Sequence, residues 1–150
     1  MITTYKFIIS AVTNVSELCL WMESSNYVYG RTNNPYHYGR TPGGSSGGEG
    51  SILSAAGSPF GIGSDIGGSI RMPAFFNGIF GHKPSTGIVC NMGQIPVANG
   101  TLDSYLVTGP LSRFCCDLKP MLKVMMKPEK VNVLKLDDPV DLKKIKVFTY

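Results

Sequence analysis

The chain has 150 residues, 43% hydrophobic and 16% charged. That is enough for one domain burying about 68–70% of its unfolded surface, and it excludes wholesale disorder. The net charge of +4 is not spread evenly: residues 1–112 are balanced, and the whole excess lies in residues 113–150. There lysines mix with acids at helix-surface spacing, without a basic patch or interleaved aromatics, so a solvated face is expected and not nucleic-acid binding. No run approaches the ~20 apolar residues of a membrane span. The N-terminal stretch lacks a basic region and a long apolar run, so no secretory leader is expected. Cys19, Cys90, Cys115 and Cys116 form no CxxC pair and no Cys/His ladder. This argues against a zinc site or disulfide framework and for reduced thiols in an intracellular protein.

In chain order, residues 14–22 read as a short helix start, with Ser16 as cap, Glu17 in the first turn and Leu18, Leu20, Trp21 and Met22 as apolar surface. Residues 24–42 form an irregular loop carrying Tyr27, Tyr29, Tyr36 and Tyr38, with a turn at Asn34-Pro35. The small residues from Gly47 to Ala56 suit a closely packed helix, stopped by Gly57-Ser58-Pro59. Residues 60–64 read as a short buried strand, 70–76 as one or two helical turns, and 79–82 as another short strand. After a turn-rich stretch, Phe114, Leu118, Met121, Leu122 and Met125 mark an amphipathic helix. Residues 145–150 look like the beginning of a strand.

Glycine is concentrated in one place: 13 of the 18 glycines fall between Gly43 and Gly87. Two clusters each hold serine, Gly43-Gly44-Ser45-Ser46-Gly47-Gly48 and Gly67-Gly68-Ser69. They bracket an apolar helix and a strand, unlike a flexible linker flanked by polar sequence. Glycines let the backbone turn closely around a ligand, and consecutive N–H groups in such turns converge on negative charge, which is what an oxyanion hole needs. A phosphate cradle fails on residues, because Gly61-Ile62-Gly63 is followed by Ile66 where GxGxxG needs glycine, and no GxxxxGK[ST] exists. Residues 43–47 formally match the GxSxG elbow, but that turn requires a strand directly before it, where Arg40-Thr41-Pro42 stand. His82 is the only histidine downstream of Ser45, and it reads as structural beside Lys83-Pro84. No SxxK is present.

The combination of residues 43–49 with Gly63-Ser64-Asp65-Ile66-Gly67-Gly68-Ser69-Ile70-Arg71-Met72-Pro73 resembles the signature of the amidase signature family. Thr13-Asn14-Val15-Ser16-Glu17, Asn34-Pro35, Gly81-His82-Lys83-Pro84-Ser85 and Gly109-Pro110-Leu111-Ser112-Arg113 with Asp117-Leu118 follow in the family's order. The resemblance runs from about residue 11 to about residue 148. It leans towards the branch that hydrolyses fatty-acid amides, chiefly through Ser16-Glu17-Leu18-Cys19, Tyr29-Gly30-Arg31 and residues 71–84.

The resemblance implies an α/β fold, a mixed β-sheet flanked by helices, with residues 1–10 as a start outside the family pattern and 11–150 as a partial amidase domain. It implies a serine hydrolase of amides or esters of long acyl chains, needing no metal or organic cofactor. Ser69 would be the nucleophile, and Ser45, whose peptide bond is cis in the family, the bridging serine with Ser46 as its hydrogen-bonding neighbour. The N–H groups of Ile66, Gly67, Gly68 and Ser69 would form the oxyanion hole, and Asp65 and Arg71 would hold the loop's shape. The family's catalytic lysine would come from a strand farther upstream than the 44 residues preceding Ser45; Lys6, the only lysine there, sits in an unrelated context. The chain therefore reads as a fragment without that lysine and without most of the C-terminal half, its strands left with open edges. The alternative is a catalytically inactive remnant that binds lipid or a partner, or does nothing. The expected partner is a small acyl amide, in the cytoplasm or at a membrane, with peripheral membrane contact in the parent protein; oligomeric state is not legible.

Overall fold

The computed structural model describes residues 9–148. In chain order the strands and α-helices are β1 (Ser25–Asn26), β2 (Gly30–Arg31), α1 (Gly47–Ser54), β3 (Phe60–Asp65), α2 (Arg71–Asn77), β4 (Phe80–Gly81), β5 (Val107–Ser112), α3 (Cys115–Met125) and α4 (Val131–Leu134). The main sheet has the order β3-β5-β4, both pairs antiparallel, and β1 and β2 form a separate small hairpin. Helices pack on this sheet, giving the partial α/β fold expected. Among the described residues no helix is long and apolar enough to cross a membrane.

The core that carries the two glycine clusters comprises Leu53 of α1, Ile70 and Ala74 at α2, and Leu111 of β5, with Ile52 and Ile79 against it. Leu53, Ile70 and Leu111 are fully buried, each contributing about 1.5–3 kcal/mol. α1 forms although five of its eight residues are glycine or serine and its glycines disfavour helix by roughly 1 kcal/mol each against alanine. Tertiary packing overrides that propensity, since the helix buries Gly47, Gly48 and Gly50 beside Leu53. A second cluster, Ile88, Val89, Leu122 and Met126, seats α3, so only Met121 and Leu122 of its apolar stripe are buried within the helix.

Several sequence expectations require correction. Residues 14–22 make only a 3-10 turn at Glu17–Cys19, with Leu18 at φ 49°. Ser16 does not cap it; its hydroxyl instead lies 2.7 Å from Trp21 O and 2.8 Å from Glu23 O, folding the segment back on itself. Strand β3 is less buried than expected, with Phe60 and Ile62 partly exposed, because it is an outer strand of the sheet. The stretch read as turns contains β5, the central strand. Pro110 sits in it where it pairs with Ile62, and its carbonyl accepts from His82 N at 3.0 Å. Its missing N–H faces the end of β4, where the ladder stops. No strand forms over residues 145–148, whose Val147 and Phe148 are exposed with no neighbouring strand; Thr149 and Tyr150 lie outside the described residues.

Candidate active site

β3 ends at Asp65, and the chain turns through Ile66-Gly67-Gly68-Ser69 into α2. Asp65 organises this turn. Its carboxylate, fully buried, accepts from the N–H groups of Gly68 (2.8 Å), Ile70 (3.0 Å) and Arg71 (3.3 Å). The Arg71 guanidinium closes the arrangement with Nε at 3.0 Å and Nη2 at 2.9 Å. Burial pushes the Asp65 carboxyl up, but Arg71 and the three amides outweigh it and hold the group below its ordinary value. Gly68 has φ +135°, where a side chain would be strained.

The other glycine cluster lies against this turn. The Gly44–Ser45 peptide bond is cis. Gly44 is pressed so closely on the backbone of Trp21, Met22 and Glu23 that an added Cβ would come within 2.8 Å of all three. Ser46 N donates to Ser69 O at 3.2 Å, joining the two serine segments directly. Ser45 and Ser69 line one cavity of about 260 Å³ with an apolar wall of Leu18, Leu20, Ile66, Val97, Leu102 and Leu106. Ser45 and Ser46 are buried and Ser69 is half-buried.

Of the expected oxyanion donors, Gly68 is corrected: its N–H is taken by Asp65. The amides of Ile66, Gly67 and Ser69 make no hydrogen bond within the protein among the described residues. Lys6 lies outside the described residues, and no described lysine or histidine lines the cavity or the larger groove that adjoins it along β3. Among the described residues no cluster of His, Cys, Asp or Glu is placed to hold a metal ion.

Sequence reasoning missed two supports of this site. Ser24, fully buried, accepts from Gly47 N at 2.7 Å and lies 3.0 Å from the carbonyls of Gly43 and Ser45, one of which receives its proton. Cys19 lines the cavity with Ser45; burial pushes its thiol above the ordinary value, and the neighbouring Ser45 side chain opposes that shift. Neither carries a local signal, since each acts on residues 19 or more positions away in the chain.

The sequence model of the Amidase family matches residues 5–146. The chain belongs to the amidase family. It is 61% identical to fatty-acid amide hydrolase 2 of Homo sapiens over 137 residues, 91% of this chain and 26% of that protein. It is also 61% identical to fatty-acid amide hydrolase 2-A of Danio rerio over 138 residues, 92% of this chain and 26% of that protein. This amidase-family chain thus spans about a quarter of the length of the curated relatives it matches. Among solved structures, that of a fatty acid amide hydrolase superposes with TM-score 0.63 at 34% identity, covering 82% of this chain and 21% of the other. That of 6-aminohexanoate cyclic dimer hydrolase superposes with TM-score 0.69 at 32% identity, covering 76% of this chain and 23% of the other.

Proposed function

We propose that the chain carries the nucleophile and proton-relay part of a serine amidase site for fatty-acyl amides and related esters. The observation that carries this reading is the meeting of Ser69, Ser45 and the unpaired amides of Ile66 and Ser69 at one apolar cavity, with the unpaired amide of Gly67 between them in the same turn. Ser69 Oγ attacks the acyl carbon while its proton passes to Ser45, which hands its own to a lysine. The three amides hold the tetrahedral oxyanion, the amine leaves with a proton, and water then releases the acid from the Ser69 ester. An acyl chain suits the Leu18, Leu20, Val97 and Leu106 wall. The four free cysteines support a reducing, intracellular setting, cytoplasmic or peripheral to a membrane.

Because no described lysine lines the site, the chain by itself turns over slowly: a missing general base typically removes a factor of ~10² to 10⁴. The same observation favours a second reading, a remnant that binds acyl ligands without hydrolysing them. Hydrolysis of decanamide by the purified chain separates the two. Slow ammonia release that disappears in Ser69→Ala supports the first reading, and release that is absent or indifferent to Ser69 supports the second.

A further inference from the structure

One proton fixes the polarity of a side-chain network beside the cavity. The carbonyl of Leu106 can only accept, so Asn91 turns its Nδ2 to it at 2.9 Å and presents Oδ1 to Thr108. Asn91 Oδ1 can also only accept, so the Thr108 hydroxyl, 2.9 Å away, gives it its single proton. The Thr108 oxygen is left with lone pairs. Gln94 Oε1 lies 3.3 Å from that oxygen, so that once the Thr108 proton is given to Asn91 two acceptors face each other. A half-turn of this carboxamide puts Nε2 towards Thr108, giving that oxygen a donor, and turns Oε1 the other way. Gln94 lines both the cavity of Ser69 and Ser45 and the adjoining groove. The turn beneath it is tied by Gln94 N, which donates to Asn91 O at 3.2 Å.

We propose that Gln94 is a specificity-determining residue, whose Oε1 accepts a hydrogen bond from the N–H of an acyl amide in the Ser69 cavity and so favours amides over esters of the same acid. An ester has no proton to offer and brings an oxygen lone pair against Oε1. A neutral hydrogen bond of this kind is worth on the order of a five- to tenfold affinity ratio. The inference rests on the preceding reading only in placing the acyl amide in that cavity; it requires no turnover.

The test is equilibrium binding of N-methyldecanamide and methyl decanoate to the full chain by titration calorimetry. The unchanged chain is expected to bind the amide about five- to tenfold more tightly than the ester. Gln94→Leu should bind both equally, with ester affinity unchanged, and Gln94→Glu, which keeps an acceptor, should retain the preference. Equal affinities in the unchanged chain, a preference that survives Gln94→Leu, or no saturable binding of either ligand overturns the proposal. A preference that follows Gln94 in a chain showing no Ser69-dependent hydrolysis would refute the amidase reading and leave this one standing. Ser69-dependent hydrolysis with a preference indifferent to Gln94 would do the reverse.

Discussion

Replacing Asp65 by alanine removes the acceptor that shapes the turn carrying Ser69. Three amide donors, from Gly68, Ile70 and Arg71, lose a fully buried charged partner. Hydrogen bonds to charged groups contribute about 1.5–3 kcal/mol each, but the three share one carboxylate and are not additive. Leaving a buried donor unsatisfied costs about 1–3 kcal/mol, and for three donors that share one acceptor we take about 3–5 kcal/mol as the expected loss for Asp65→Ala. The Arg71 side chain is 53% exposed and water screens its share, so Arg71→Met should cost only about 1 kcal/mol. Urea unfolding at pH 7 with unchanged m-values measures both, against a total stability typically of about 5–15 kcal/mol. A loss below about 1 kcal/mol for Asp65→Ala, or equal losses for the two variants, would refute the claim that the amides and not the ion pair carry the energy.

The same carboxylate sets an acid dependence. Its folded value lies below 3.8, so its contribution is complete above that value and is lost as pH falls through the folded one; acid unfolding of Asp65→Asn should be less steep below about pH 4. Gly67 has open space around it and no positive φ, so Gly67→Ala should change stability by less than about 0.5 kcal/mol. Gly68→Ala, strained by its φ of +135° and close to Met72, should lose about 1–3 kcal/mol in the same denaturation assay. Cys19 is half-buried with a raised thiol, whereas Cys90, Cys115 and Cys116 are exposed. Iodoacetamide at pH 8 followed by peptide mass mapping should therefore modify Cys19 last, and modification of Cys19 before the others would contradict the geometry.

What was legible in the sequence was what short-range chemistry encodes. Glycine and serine spacing marked the two clusters, Gly57-Ser58-Pro59 marked the end of α1, and the stripe from Phe114 to Met125 marked α3, although Phe114 itself stands exposed just before the helix. Strand β5 was missed because Gly109-Pro110 is a local breaker, and only its neighbours on both sides make it a strand. The helix expected near Ser16 does not form because that hydroxyl turns forward to the carbonyls of Trp21 and Glu23 instead of capping. Within the site, the competition for the Gly68 amide was invisible: glycine spacing says that N–H groups converge, but not that the carboxylate three residues earlier takes one of them. Gln94, Thr108 and Asn91 likewise gain meaning only when the fold sets their order of donors and acceptors.

The central claim, that Ser69 is a nucleophile served by Ser45, is tested most directly by incubating the purified chain with a fluorophosphonate and locating the adduct by peptide mass spectrometry. The account predicts a single serine adduct on Ser69, absent in Ser69→Ala and forming at least about tenfold more slowly in Ser45→Ala with unchanged circular dichroism. An adduct elsewhere, none at all, or full labelling of Ser45→Ala would contradict it.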